Sequence, residues 1–238
     1  MPPFAHRTVG IPLPARQDPR MQRVLEPEYM DTVEEAEGYQ AMDHSAANAA
    51  VVARFLELGG GQCERVIDLG TGPGDIPILL AQRAGQPHIT AVDAAEEMLR
   101  LARPKLVALG LTARIDFVRA DVKALQWPDD SFDGVFSNTI LHHIPEPLEF
   151  LKEAARVLQP GGVLLIRDLF RPANEDEAWR LVDLHAAGAN EYQRQLFFQS
   201  FCAALTLEEA RACAREAGLG HARVEMSSDR HYTIEIGR

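Results

Sequence analysis

Cysteine is scarce in this chain, and positive charge is outnumbered. Cys63, Cys202 and Cys213 are its three cysteines, unevenly spaced and without a C-x-x-C pair, so neither a disulfide framework nor a thiolate zinc site is indicated. A reduced, cytoplasmic setting is the expectation. Lysine and arginine total 24 against 35 acidic residues, a formal net charge of −11, and no basic cluster appears. Nucleic acid is therefore not expected as a partner, because a phosphate backbone needs grouped lysines and arginines. No run approaches the ~20 apolar residues of a membrane span, and the start carries Pro2 and Pro3 where a signal peptide would need an apolar core. What is present suits a globular domain. The 238 residues are 46% apolar, enough for one large core, and the acidic excess reads as a solubility feature.

Residues 1–27, with Pro2, Pro3, Pro12, Pro14 and Pro19, lack periodicity and form an irregular arm, leaving 28–238 as the domain. From Glu28 to Leu58 the pattern is helical, with Ala47, Val51, Phe55 and Leu58 on one face and Asp43 or Ser45 as a cap. Tyr39 and His44, just before that cap, lie in a segment able to fold over a ligand. Strands near 65–69, 88–93, 114–119, 133–137 and 162–168 alternate with helices near 75–85, 95–108 and 146–158. That alternation is the mark of a parallel sheet covered on both faces. Thr206-Leu207-Glu208-Glu209 is a capping box opening another helix, and 222–226 and 231–236 are too close in sequence to be anything but antiparallel neighbours. The fold class is α/β, doubly wound, with seven mostly parallel strands and an antiparallel terminal hairpin. The link 170–205 is too long for a simple connection, and its apolar spacing predicts an inserted helical lid over the carboxyl ends of the strands.

The segment Val66-Ile67-Asp68-Leu69-Gly70-Thr71-Gly72-Pro73-Gly74-Asp75 is a buried strand that ends in a glycine-punctuated loop and restarts as a helix. Such glycines let the backbone turn with positive φ and let a ligand come close. Dinucleotide sites use G-x-G-x-x-G and offer helix amides to phosphate. Here the third glycine comes one residue early, and Asp68 and Asp75 flank the loop, so the ligand is expected to be a cationic amine. Asp93 closes the next strand 21 positions beyond Gly72, which suits an acid bonding a ribose diol. It could equally cap the helix starting at Ala94 or Ala95.

This pattern, with several later segments in order over roughly 40–170, resembles the class I S-adenosylmethionine-dependent methyltransferases. The resemblance implies a Rossmann-like fold, S-adenosyl-L-methionine as cofactor, and methyl transfer to a small-molecule acceptor by direct displacement. It places Asp68, Gly70, Thr71, Gly72 and Gly74 at the methionine part of the cofactor and Asp93 and Ala94 at the ribose. Met98, Asp121 and Val122 fall at the adenine, and Asn138 near the amino acid end. His142 and His143, after the fourth strand, are general-base candidates, because an imidazole can take a proton near neutral pH. Adjacent residues seldom point the same way, so one at most is expected to act. Acceptor contacts are expected from Tyr39, His44, Arg167, Asp168, Arg171, Tyr192, Arg194 and Phe198. Leu158-Gln159-Pro160-Gly161-Gly162 resembles the family's turn before the fifth strand.

No Asn-Pro-Pro-Tyr or Pro-Cys follows the fourth strand, so methylation of nucleic-acid bases is not expected, and no metal ligands are assigned. Two other uses of the same cofactor site stay open: a reaction other than methyl transfer, and a catalytically inactive binding module. A homodimer is the one protein partner considered.

Overall fold

In a computed structural model, residues 21–26, 31–40 and 44–238 are described. Most of the proline-rich arm and Asp43 lie outside the described residues. One seven-stranded sheet organises the chain, in the order β3-β2-β1-β4-β5-β7-β6. Its strands are β1 (Arg65–Leu69), β2 (His88–Asp93), β3 (Ile115–Arg119), β4 (Phe132–Asn138), β5 (Leu158–Leu169), β6 (Arg223–Met226) and β7 (His231–Ile236). The first five are parallel, with Val66 beside both Ile89 and Gly134. β7 runs antiparallel to β5 and β6. The order reverses between β1 and β4, so the loops leaving these two strands diverge and open a crevice at their carboxyl ends.

Alternation along the strands divides the core into two layers. Val163 and Leu165 of β5 face α2 (Ser45–Glu57) and α3 (Asp75–Arg83), where Val51, Phe55, Ile78 and Leu80 are buried. Leu164 and Ile166 face α5 (Pro147–Val157) and α8 (Leu207–Glu216), against Phe150, Leu151 and Ala214. Proline starts α5 at a position where its missing N–H costs nothing. The Thr206/Glu209 capping box opens α8 as expected.

Two details differ from the sequence expectations. The helical pattern of 28–58 is divided into α1 (Val33–Gln40) and α2, and α2 starts at Ser45 with no side-chain cap from His44. The Pro160-Gly161-Gly162 turn falls inside β5: Leu158 pairs with Phe132 and Val163 with Gly134, so Gln159–Gly162 bulge out opposite Asp133. Gly161, at φ +77°, makes that excursion sterically allowed. The inserted helices, α6 (Glu175–His185) and α7 (Glu191–Ala203), form a small core of their own around Leu169, Leu181, Val182 and Phe201. Among the described residues no helix is long and apolar enough to cross a membrane.

Buried Glu235 on β7 binds Arg54 of α2 at 2.7 Å and Arg223 of β6 at 2.6 Å. Burial opposes its ionisation, but the hydrogen bonds from the two guanidiniums overcome this and draw its pKa down to about 2. A folded pKa below the unfolded one adds stability above about 4.5 that is lost as pH falls toward 2. Glu235→Gln is expected to cost about 1–3 kcal/mol at pH 7. Denaturant titrations should show that deficit shrinking below pH 4.5.

Candidate active site

The glycine loop after β1 is held almost entirely by protein. The Gly70 and Thr71 amides both donate to the Val92 carbonyl at 2.8 Å, and the Gly74 amide donates to Thr71 at 3.1 Å. The Gly72 amide donates to Asp93 Oδ2 at 2.7 Å, and Pro73 has no N–H. Each loop amide from 70 to 74 is thus committed internally, leaving none to cradle a phosphate. The glycines differ in purpose. A Cβ on Gly70 would lie 2.5 Å from Ile140, and one on Gly74 would lie 2.5 Å from Phe117, so these two make room for the protein's own side chains. Gly72 alone of the three faces open space.

Asp68 lies beneath the loop and is 1% exposed, with Oδ2 lacking a hydrogen-bond partner. Burial pushes its pKa up to about 8, and the Asp93 carboxylate acts in the same direction. Its expected charge is therefore suppressed at neutral pH in the ligand-free protein, because the low-dielectric surroundings disfavour the ionised form. Asp93 is not the N-cap of the helix that follows, which is Ala95, but it braces the turn before that helix. Oδ1 accepts the Ala95 amide at 2.9 Å, at the start of α4 (Glu96–Ala108), while the residue lines the cavity. Burial raises its pKa too.

That cavity encloses about 930 Å³, part of it open to solvent, in the crevice between the loops after β1 and β4. Gly70, Thr71 and Gly72 form one wall, and Asp93, Ala94, Met98 and Val122 form another. Asn138 and His143 approach from the β4 side, and Tyr39 and His44 from the helices before the sheet. The Tyr39 and His44 rings stack with centroids 4.6 Å apart, and burial pushes the Tyr39 hydroxyl up to about 12.

Contrary to the expectation for adjacent residues, the two imidazoles lie side by side with ring centroids 4.2 Å apart, although only His143 lines the cavity. Leu141–His143 is a single 3-10 turn, preceded by Thr139 at φ +55°, a strained conformation for a β-branched residue. The Thr139 amide donates to the Arg167 carbonyl at 2.8 Å, which holds the turn on the sheet. His143 faces the cavity. His142 is buried, its Nδ1 2.7 Å from Asp168 Oδ1. Burial alone would lower the His142 pKa, but the Asp168 carboxylate overrides it and raises it. Asp168 Oδ2 also accepts the Leu141 amide at 2.6 Å. Next to both imidazoles stands Glu26, from the extended segment 21–26. That segment is anchored by Arg23, whose guanidinium donates to the Ala203, Pro145 and Ile144 carbonyls.

Several acceptor candidates lie away from the cavity. Arg167 donates to Asn138 Oδ1 at 3.0 Å and contacts His231 at 2.8 Å, so it orients Asn138 from behind. Burial lowers its pKa to about 10. Arg171 binds the Ala204 carbonyl and Glu209, and Asp168 is committed to His142. Tyr192 is 71% exposed, Arg194 pairs with Asp183, and Phe198 stacks on Trp179. The inserted helices thus spend their aromatic surface on their own core. Asp121 is paired with Lys123 at 2.9 Å, and its neighbour Val122 reaches the cavity instead. Sequence reasoning did not single out Asn48, Thr139, Ile140 or Ile144, which also line the cavity, nor Glu26. Ile140 had one usable signal, a bulky residue placed to fill the space a loop glycine leaves.

A reversed parallel sheet with its crevice at a glycine loop and a β2-terminal acid is the arrangement in which open α/β sheets commonly hold nucleotide cofactors. Residues 67–166 match the family model described as a methyltransferase domain. The chain is thus similar to methyltransferase domains over less than half of its length. The ubiquinone/menaquinone biosynthesis C-methyltransferase UbiE of Yersinia enterocolitica is 34% identical over 113 residues, which are 47% of this chain and 45% of that protein. The match therefore spans about half the length of that relative. An S-adenosylmethionine-dependent methyltransferase structure from Aquifex aeolicus shares the fold with a TM-score of 0.62 at 21% identity, covering 86% of this chain and 97% of that one. A putative S-adenosyl-L-methionine-dependent methyltransferase from Methanococcus maripaludis gives 0.66 at 19% identity, covering 90% and 97%.

Gly74→Ala adds both left-handed strain and a collision with Phe117 and Ala102, so it should cost about 2–4 kcal/mol in urea unfolding. Gly72→Ala, with strain alone, should cost about 1–2 kcal/mol. Asp68 has a folded pKa above its unfolded value, so its ionisation removes stability as pH rises from about 4 to about 8. Asp68→Asn should accordingly raise the melting temperature of the ligand-free protein by several degrees at pH 8, where 1 kcal/mol is worth ~2–4 °C. The gain should fade toward pH 5.

Proposed function

We propose that the chain transfers the methyl group of S-adenosyl-L-methionine to a small-molecule acceptor within this cavity. The observation that carries the reading is that one continuous cavity joins Gly72, Asp93 and Met98 to Tyr39, His44 and His143. The first set suits a nucleoside attached to a cationic amino acid, and the second is polar and aromatic enough for an acceptor. The residues fit the cofactor in three respects. The loop offers no amide to a phosphate, Asp68 at the start of the loop keeps a buried Oδ2 without a partner, and Gly72 leaves the wall free of a side chain.

When bound, the cofactor supplies an activated methyl on a sulfonium, and displacement then depends on placing the acceptor in line. Asp93 would hold the ribose hydroxyls, with its carboxylate braced by the Gly72 and Ala95 amides. Met98 and Val122 would cover the adenine, and Asn138, fixed by Arg167, would contact the amino acid end. Tyr39 and His44 would exclude water above the reacting atoms. His143 would take the proton of an acceptor that loses one on methylation. Polar groups at that end suit an acceptor bearing a hydroxyl or amine, and the name of the Yersinia relative adds carbon to the candidate atoms. His142 is given no proton-transfer role, because its Nδ1 is held by Asp168 and it does not line the cavity.

Binding of S-adenosylhomocysteine by calorimetry, followed by acceptor screening with methyl-labelled cofactor and mass spectrometry of products, tests the assignment. A preference for a nicotinamide dinucleotide over S-adenosylmethionine would overturn it. Asp93→Ala should weaken S-adenosylhomocysteine binding at least several-fold while the protein still unfolds cooperatively, and unchanged affinity would remove Asp93 from the ribose role.

A further inference from the structure

The ligand atoms of Glu26, His142 and His143 converge at one point beside the cavity, which His143 lines. Glu26 Oε1 is buried and accepts no hydrogen bond among the described residues. It stands 3.4 Å from His142 Nε2 and 3.4 Å from His143 Nδ1. Both separations are long for a charge-assisted hydrogen bond, which forms at about 2.7–2.9 Å. They match the spacing of about 3.3–3.4 Å between two ligands of a tetrahedral ion bound at ~2.0–2.1 Å. All three ligand atoms lie within 4.8 Å of one another.

The surroundings prepare the imidazole as a ligand. His142 has its Nδ1 held by Asp168 at 2.7 Å, which leaves Nε2 directed at Glu26. A carboxylate behind a histidine, fixing its ring and tautomer, is the usual support of a metal-bound imidazole. Asp168 is itself fixed by the Leu141 and Leu169 amides. Glu26 is brought to the histidines by the Arg23 anchor, across more than a hundred residues of sequence. Two imidazoles and a carboxylate form a donor set suited to zinc and neighbouring first-row ions, with a coordination position left over.

We propose that Glu26, His142 and His143 bind one divalent transition-metal ion, zinc or an ion of similar preference. Because His143 lines the cavity, the ion lies at its wall, where an oxygen or nitrogen of the acceptor can take the remaining position. Binding there polarises the acceptor and eases loss of its proton, so that with the ion bound the proton goes to solvent and His143 serves as a ligand in place of the base role it has without the ion. This last consequence rests on the methyl-transfer reading, whereas the ion site does not.

Tag-free protein stripped with a chelator and dialysed would be titrated with cobalt(II), following its visible absorption, and then with zinc in competition. One cobalt per chain with the intense bands of a four- or five-coordinate ion is expected, displaced by one zinc. Glu26→Gln and His143→Gln should each weaken cobalt binding by at least about tenfold, the lower bound for losing even a supporting group of a metal site. A smaller effect in either variant, or no such bands in the unaltered protein, overturns the proposal. Should a variant fail to unfold cooperatively, proton spectra of the cobalt-loaded unaltered protein decide: two shifted histidine ring N–H signals support the site, and none refutes it. S-adenosylhomocysteine binding is measured in parallel. Cobalt binding without it would leave the ion site standing and sink the methyl-transfer reading.

Discussion

Three amide hydrogen bonds stitch the end of β1 to the end of β2: Gly70 and Thr71 to the Val92 carbonyl, and Gly72 to the Asp93 carboxylate. Everything on the cofactor side depends on this seam. It fixes the loop in a left-handed course, brings Asp93 to the cavity and consumes the amides that would otherwise recognise a phosphate. A dinucleotide site and this one share a sheet and a glycine loop, but they differ in where the loop amides point. Here they point into the protein. The electrostatic character of the cavity follows from that choice together with the uncommitted carboxyl of Asp68.

The acceptor side depends on a second arrangement, at the ends of β4 and β5. Asp168 draws His142 inward, and the strained Thr139 turns the chain so that the neighbouring imidazole faces the cavity. Arg167 then works from behind, fixing Asn138 without touching the cavity itself. One buried carboxylate and one half-buried guanidinium thus determine what two cavity residues present. Neither could be replaced by an apolar residue without leaving a buried polar group unmatched.

How much of this was legible in the sequence differs by region. The strand and helix order was clear, because buried parallel strands alternating with amphipathic helices leave a strong pattern, and the Thr206 capping box is a local signal. The loop and Asp93 were equally readable, since their spacing reflects one turn and one strand. Arg171, Tyr192, Arg194 and Phe198 were not, because closeness to a strand end does not say which way a side chain turns. Arg171 found Glu209, and Phe198 found Trp179. In the Pro160-Gly161-Gly162 segment the turn was visible, but not that pairing resumes before it at Leu158. Glu26 was invisible for a different reason: its role exists only through contacts made across most of the chain.

The Arg23 anchor has a consequence for the order in which the molecule assembles. Its Nε bonds the Ala203 carbonyl, 180 residues away. Contacts of such separation close the largest loops and form late in folding. During synthesis residues 21–26 emerge well before α7, whose Ala203 carbonyl they bond. The segment must therefore wait undocked until the sheet, the 3-10 turn and α7 are in place. The placement of Glu26 beside His143 then waits on the formation of α7.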